Sequence, residues 1–239
     1  DKWDISSGTL FTQWLYGCPF NQDVSAWSGS LPSSISNLFY GAAEFNNGGS
    51  PNINDWDVSS VTDFTSLFRE ASSFNQPIGK WDISSGTTFT NWLYLASSFD
   101  QDLSAWSGSV PANLTSFFSN ATSFNNGGSP NINDWDTSNV DTMLGIFNNA
   151  SSFNQPLNNW DMSNADGFEY QQFNGATSFN QDMSNWKFPQ AVYYVGYGMF
   201  KDASSYDQNM GNFALPSGSS LSFFPYFMFY NSGMSTANY

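Results

Sequence analysis

The sequence predicts a repeat solenoid, mainly β, in which about eight or nine rungs of about 25 residues stack on one another. Eight tryptophans recur at spacings of 24, 29, 25, 25, 29, 25 and 26 residues. The eleven residues NNGGSPNINDW also occur twice, at 46–56 and at 125–135. A unit this short cannot bury its own apolar face, so neighbouring units must stack into one column. The eight tryptophans are Trp3, Trp27, Trp56, Trp81, Trp106, Trp135, Trp160 and Trp186.

Three further sets of residues recur with the same period as the tryptophans. An aromatic ladder comprises Phe20, Phe45, Phe74, Phe99, Phe124, Phe153, Phe179 and Tyr206. A small residue stands three positions before each member, from Gly17 and Ala42 to Ala203, and a large one six positions before, from Trp14 and Phe39 to Phe200. We expect the aromatic ladder and the small residues to face inward, because a large ring needs a small neighbour to reach full packing density. A degenerate ninth rung is predicted at 227–235, with Phe229 at the Phe39 position.

Each rung is predicted to contain one short strand and one short helical turn. The stretch NQPIGKWD, at 75–82, alternates as a strand does, and stacked strands would advance about 4.8 Å per rung. The stretch TSLFREASSF, at 65–74, has large residues at helical spacing and favours an α- or 3₁₀-turn. An asparagine or aspartate follows each aromatic ladder residue. We expect these side chains to bond the backbone of the turns.

Three rungs form a larger unit within a single domain that covers 1–239. Unit 1 covers 1–79, unit 2 covers 80–158, and 159–239 is a degenerate third unit, a C-terminal cap or a contact region. Spacing rises to 29 residues only where GGSP is inserted, and Gly and Pro favour a turn. The inserts are predicted to bulge outward about 14 Å apart, as contact surfaces. Their residues are Gly48, Gly49, Ser50 and Pro51, and Gly127, Gly128, Ser129 and Pro130.

The composition excludes several classes of function. The formal net charge is −15 and 19% of residues are aromatic, while only 10% are charged. Such a chain repels phosphate backbones and anionic membrane surfaces, so nucleic acid is not an expected partner. No apolar run is long enough to span a membrane. The single cysteine, Cys18, cannot form an internal disulfide and is expected to be a small, half-buried residue, or else to pair with another chain.

Catalytic chemistry has little support, and no enzyme activity or cofactor is predicted. The chain has no histidine, which removes histidine-based triads and most zinc sites, and it has no phosphate-binding loop. The aspartates recur with the repeat, at Asp4, Asp57, Asp82, Asp136 and Asp161, whereas a catalytic carboxylate pair would be unique. We interpret them as turn residues in WDxS that accept backbone N–H bonds; calcium binding by this row is the alternative.

The repeat resembles that of a known family. SLFREASSFNQPIGKWDIS, at 66–84, and GIFNNASSFNQPLNNWDMS, at 145–163, are similar to the 25-residue repeat of BspA-like leucine-rich-repeat surface proteins. That resemblance implies an extracellular or cell-surface location, a leucine-rich-repeat-like solenoid, and adhesion or scaffolding without catalysis. The rungs that begin at Trp27 and Trp106 depart from it, since Ser replaces the Asp of WD, and the repeat loosens after about residue 186.

Two functions remain open at this point. The first is a surface or filament scaffold, acidic and extracellular, that contacts copies of itself or other surface proteins. Because DKWD begins in the middle of a rung, we expect the column to continue into further chain or another subunit. The second is a carbohydrate-binding adhesion module with aromatics outside the ladders. These aromatics are Trp92, Tyr94, Tyr170, Tyr193, Tyr194 and Tyr197.

Two smaller hypotheses complete the set. Three N-x-S/T sequons, at Asn113, Asn120 and Asn149, are candidate glycosylation sites in a secreted eukaryotic protein. Ice binding has little support, because Thr forms no regular ladder along the chain.

Overall fold

Successive repeats lie directly on one another and are joined by backbone hydrogen bonds. A computed structural model describes residues 11–27, 31–106, 110–165, 171–186, 197–209 and 225–238. Phe39 N–H donates to the Leu67 carbonyl, and Phe68 N–H donates to that of Trp92, at 3.0 Å in each case. Each bond joins a residue to the repeat that follows it along the chain. The chain is therefore a repeat protein in which most packing is long-range.

Three ladders of stacked rings fill the interior. Phe45, Phe74 and Phe99 follow one another at centroid distances of 5.8 and 5.9 Å. Within one repeat, Phe68 stacks on Phe74 at 3.9 Å. The predicted ninth rung is confirmed at its ladder position, because Phe229 stacks on Phe200 at 5.6 Å. These are distances between ring centroids, and the predicted 14 Å between the two inserts stays a prediction.

The predicted strand at 75–82 is wrong. In the described part of the chain, β-structure is limited to isolated parallel bridges, Ser34–Asp63, Asp63–Thr88 and Asn113–Thr142, and none of them involves residues 75–82. Instead of a β-ladder, the side chain of Asn75 holds the neighbouring backbone here, since its Oδ1 accepts the Asp100 N–H at 2.9 Å.

The predicted helical turn at 65–74 is also wrong. Ser66 and Glu70 have positive φ values of 53° and 61°, which interrupt any right-handed helix. Leu67 N–H bonds back to Phe64, whereas Phe68 N–H bonds across to the next repeat. The wall is therefore a series of turns in which alternate N–H groups bond within the repeat and between repeats. Left-handed backbone costs about 1–2 kcal/mol at a non-glycine residue, and the inter-repeat bonds offset that cost.

Regular helices are few and short in the described residues. Four are 3₁₀ segments: η1 Asn47–Gly49, η2 Pro51–Asp55, η3 Asn126–Gly128 and η4 Pro130–Asp134. The fifth is one α-helical turn, α1 Pro225–Met228. The first four coincide with the two copies of the inserted stretch.

The hydrogen bonds correct the alignment of the first rung. Leu15 N–H donates to Leu38, and Cys18 N–H donates to Leu15. Leu15 and Cys18 thus occupy the positions of Phe39 and Ala42, which the sequence spacing assigned to Trp14 and Gly17. The single deletion in this rung lies after Cys18, so that Phe20 still stacks with the next rung.

Candidate interaction surfaces

The inserted stretches fold back onto the preceding repeat. Asn47, Gly48 and Gly49 have φ values of 51°, 59° and 82°, so that η1 is a left-handed turn that Asn and Gly tolerate best. Asn47 is fully buried, and its Oδ1 accepts the Val24 N–H at 2.7 Å. Its Nδ2 donates to the Ser25 hydroxyl and to the Ser50 carbonyl. The asparagine before GGSP is thus a structural clamp, and Asn126 repeats it in the second copy.

The outer residues of both inserts remain accessible. Gly48, Gly49 and Pro51 are exposed and Ser50 is half-buried, and the same holds for Gly127, Gly128, Pro130 and Ser129. A side chain at Gly48 would lie 3.1 Å from the backbone nitrogen of Asp23, while Gly49 borders open space. Each insert therefore presents one exposed glycine that borders open space and one that rests on the previous rung.

A column of planar side chains that the ladder spacing did not reveal runs along the outside of the turn wall. Tyr16 packs edge-on against Tyr40 at 4.7 Å. The guanidinium of Arg69 lies 4.8 Å from the Tyr40 ring and 5.0 Å from the Tyr94 ring. Arg69 also pairs with Glu70 at 3.2 Å. The sequence does contain a signal for this column, since each of its members directly follows a large ladder residue along the chain.

The structure places the six candidate sugar-binding aromatics in different settings. Trp92 is fully buried between Trp81 and Trp106, at centroid distances of 6.2 and 5.2 Å, and cannot stack on a sugar. Tyr94 is half-buried beneath Arg69, and Tyr197 is half-buried near the C-terminal end. Tyr170, Tyr193 and Tyr194 lie outside the described residues.

A groove of about 660 Å³ lies beside the tryptophan ladder. Its lining is formed by Gly79, Lys80, Trp81, Asp82, Ile83, Ser84, Ala105 and Trp106. Trp81 Nε1 donates to the Ile53 carbonyl at 2.9 Å, as the ladder tryptophans commonly do across one repeat. Trp106 Nε1 is buried without a hydrogen-bond partner, and Trp92 stacks on the Trp106 ring at a centroid distance of 5.2 Å.

The repeated aspartates are turn residues. Asp57 Oδ1 accepts the N–H and hydroxyl of Ser59, at 3.1 and 2.6 Å, and Asp136 does the same with Ser138. The hydroxyl and then the N–H of Ser59 lower the pKa of Asp57. Asp82 and Asp161 accept N–H bonds from Ser84 and Ser163, while Asp4 is outside the described residues. In the part of the chain that the structure describes, no three acidic, His or Cys side chains form a metal-binding cluster.

The three sequons differ in accessibility. Asn149 is exposed, whereas Asn113 and Asn120 are half-buried. Asn113 Oδ1 accepts the Thr115 N–H at 2.9 Å, which fixes its side chain in a turn. Asn149 Nδ2 donates to Asn120 Oδ1 at 3.0 Å, so these two side chains are direct neighbours on adjacent repeats.

The first and the last described repeats carry large apolar side chains that are partly exposed. Trp14 and Tyr16 are 49% and 54% exposed in the first described repeat, while Phe227 and Tyr230 are 41% and 40% exposed in the last. Cys18 is exposed, contrary to the expectation of a half-buried residue. Among the described residues, none of the helices has the length and apolar character needed to cross a bilayer.

Comparison with known proteins places the chain in a family. A family model matches residues 1–50, 20–129 and 126–233, so that the matches extend over nearly the whole sequence. A search of curated proteins and a search of solved structures each gave no match. The succession of three matches agrees with the repeated stacking seen in the fold. The chain therefore belongs to the DUF285 family, whose description is Mycoplasma protein of unknown function.

Proposed function

We propose that this protein is an extracellular scaffold of the cell surface, a leucine-rich-repeat-like solenoid of the BspA type. It would act through protein–protein contacts along its outer wall, and not as an enzyme. The observation that carries the proposal is the uniformity of the stack: the same asparagine, aromatic and aspartate positions recur with the same contacts. Such repetition produces an extended surface, whereas catalysis needs a unique arrangement of groups.

The chemistry of the outer wall supports protein partners. Tyr and Arg are enriched at the energetic centres of protein interfaces, and Tyr16, Tyr40, Arg69 and Tyr94 form one column. The inner faces of Tyr40 and Tyr94 are covered by the guanidinium, which leaves less aromatic face for stacking on sugar rings. A formal charge of −15 keeps such a protein soluble and suits a salty exterior, where screening weakens self-repulsion.

Surface labelling tests the location. Antibodies against this chain should label intact, unpermeabilised cells of the source organism, and external protease should remove the label. Labelling that requires permeabilisation would overturn the proposal. An antibody against a cytosolic protein serves as the control for cell integrity.

The carbohydrate-binding alternative is favoured by one observation. The groove beside Trp81 and Trp106 is lined by Lys80, Asp82 and Ser84, whose polar side chains suit the hydroxyl groups of a sugar. A glycan array with the folded protein tests it. Binding that is lost in Lys80→Ala and Asp82→Ala variants would favour this alternative, and an empty array would eliminate it.

A further inference from the structure

We propose that one patch of the turn wall binds a partner protein through a segment in which an acidic side chain stands beside an apolar one. The patch, called here the Arg69 patch, comprises Tyr40, Arg69, Tyr94 and Leu95. Gly17 N–H donates to the Tyr40 carbonyl and Leu95 N–H donates to that of Ser119, so described repeats adjoin the patch on both sides. The inference rests on the proposed scaffold function and names the chemistry of its protein partner.

The guanidinium of Arg69 is held in place while most of its donors stay free. It lies 4.8 Å from the Tyr40 ring and 5.0 Å from the Tyr94 ring, and its Nε donates to Glu70 Oε1 at 3.2 Å. Among the described residues, neither Nη group has an acceptor, and 31% of the side chain is exposed. A guanidinium carries its five N–H donors in a rigid planar fork. The free edge of this fork fits a carboxylate, which it can bind through two parallel hydrogen bonds.

Leu95 is an exposed apolar residue at a backbone position that suits glycine or asparagine. One row of the turn wall has positive φ values, and each N–H of the row donates to the next repeat. Its members are Gly17, Gly41, Glu70, Leu95, Asn120, Asn149, Gly175 and Asp202. Leu95 is the single apolar side chain among them, with a φ of 61° and an exposed fraction of 37%. Left-handed backbone is unfavourable for leucine, so the stack itself gains nothing from this residue, whereas an apolar partner side chain does.

Leu95 and the arginine fork lie beside each other. Glu70 N–H, next to Arg69 in the chain, donates to the Tyr94 carbonyl at 2.7 Å, and Leu95 directly follows Tyr94. A partner segment that pairs with the fork therefore brings its neighbouring side chain to Leu95.

Charge selects a protein segment as the occupant. The formal net charge of −15 repels phosphate and sulfate polymers, whereas a single carboxylate in an otherwise uncharged segment meets little of this repulsion. An acidic sugar would need an open ring face for stacking, and the guanidinium already covers one face of Tyr40 and of Tyr94. Arg69 is the only arginine in the chain, so the stack offers this site once.

Selection of short random peptides, displayed on phage, against the immobilised full chain tests the proposal. We expect the enriched peptides to carry Asp or Glu next to an apolar residue. By fluorescence polarisation, their synthetic versions should bind Arg69→Gln about tenfold or more weakly than wild type. Changing the acid of the peptide to its amide should cause a similar loss, and combining both changes should cause little further loss. Leu95→Asn should reduce the preference for the apolar neighbour and keep the preference for the acid.

Lys201→Gln is the matched control. The Lys201 carbonyl accepts the Gly175 N–H at 2.8 Å, as the Arg69 carbonyl accepts that of Gly41, so both residues occupy the same row of the turn wall. Lys201 also pairs with the acidic residue that follows it, Asp202, at 2.6 Å. Both glutamine substitutions remove one positive charge, yet only the one at Arg69 should weaken binding.

Other outcomes would overturn the inference. A selection without enriched acidic peptides contradicts it, and so does equal binding by wild type and Arg69→Gln. Self-association in sedimentation velocity that is lost in Arg69→Gln would indicate a second copy of the chain as the occupant instead. Circular dichroism verifies that each variant is folded, and urea unfolding should show no loss of stability for Leu95→Asn. Surface labelling of cells is independent of these results, so failure at the Arg69 patch leaves the proposed function separately testable.

Discussion

Trp14 and Trp92 stand in nearly the same sequence, LFTQWLY at 10–16 and TFTNWLY at 88–94, yet their surroundings differ completely. Trp92 is fully buried and packs against Phe64 at 5.2 Å and Phe117 at 5.1 Å, besides the two ladder tryptophans. Trp14 lies 4.3 Å from Phe11 and remains 49% exposed. In a stacked repeat, burial of a side chain thus depends on the rungs beside it as much as on its own sequence.

The largest expected difference between the two sites is in stability. Trp92→Ala should lower the free energy of unfolding by about 3–5 kcal/mol, because it leaves a large cavity between two ladder rings. Trp14→Ala should change it by less than about 1 kcal/mol, because half of that side chain already meets water. Urea unfolding followed by fluorescence or circular dichroism measures both.

Trp92→Phe is the control for the packing argument. Trp92 Nε1 is buried without a hydrogen-bond partner, so phenylalanine keeps a ring and removes an unsatisfied donor. We expect a clearly smaller loss than for Trp92→Ala. Equal losses for the two variants would contradict the packing account of this site.

The asparagine ladder offers a second interior-to-end comparison. Asn75→Ala should cost about 1–3 kcal/mol, because the half-buried Asp100 N–H and Gln101 amide lose their acceptor. Asn21→Ala should cost less than about 1 kcal/mol. The exposed N–H groups of Asn46 and Gly48, which donate to Asn21 Oδ1, can instead donate to water. Thermal or urea unfolding distinguishes them. A larger loss at Asn21 would mean that the first rung is as tightly held as the interior.

The two inserts, in contrast, should behave alike. Gly48→Ala and Gly127→Ala should each destabilise by about 1–2 kcal/mol, because both have φ of 59° and an added Cβ would lie 3.1–3.2 Å from the nitrogen of Asp23 or Asp102. Gly49→Ala, at a φ of 82° but facing open space, carries the backbone cost without the contact to the preceding rung and serves as the control. Unequal losses at Gly48 and Gly127, measured by urea unfolding, would show that identical stretches are not equivalent.

The smallest expected effect is that of pH. Burial acts to raise the pKa of Asp63, but bonds from Thr65 and from the Ser34 and Thr88 hydroxyls outweigh it and hold the pKa below its ordinary value. The unfolded chain therefore binds this proton more readily, and the stabilisation is lost as pH falls below about 4. Because the site is partly exposed, we expect at most about 1 kcal/mol. Asp63→Asn should flatten part of the stability profile between pH 2.5 and 5, and an unchanged profile would contradict the assignment.

The period of the repeat could be predicted from the sequence, because an aromatic side chain recurs at the equivalent position of each rung, where it packs on the next rung. The aromatic ladder, the ninth rung at Phe229 and the asparagine bonds were all predicted from spacing and are confirmed. The predicted strand and helical turn are wrong. Alternation and helical spacing indicate which residues are buried, but they do not determine the φ and ψ angles of the backbone. Ser66 and Glu70 have left-handed backbone conformations, and neither position carries the glycine that would have predicted one.

The candidate interaction surfaces also differ in whether the sequence alone could locate them. The sequence located the two inserts and the sequons, since insertions and motifs are visible as letters. The Arg69 column and the stacking of Trp92 on Trp106 required coordinates, because each arises when residues of neighbouring rungs are brought together.

By itself, the sequence determined a stack of about 25-residue rungs with aromatic and asparagine ladders, since those follow from one-dimensional repetition. Only the tertiary structure decided that the turn wall is a series of turns and that Leu15 and Cys18 fill the ladder positions of the first rung. It also decided that Trp14 is half exposed while Trp92 is buried. The physical reason is that backbone hydrogen bonds between rungs select the conformation and alignment, and these bonds exist only when neighbouring repeats are in place.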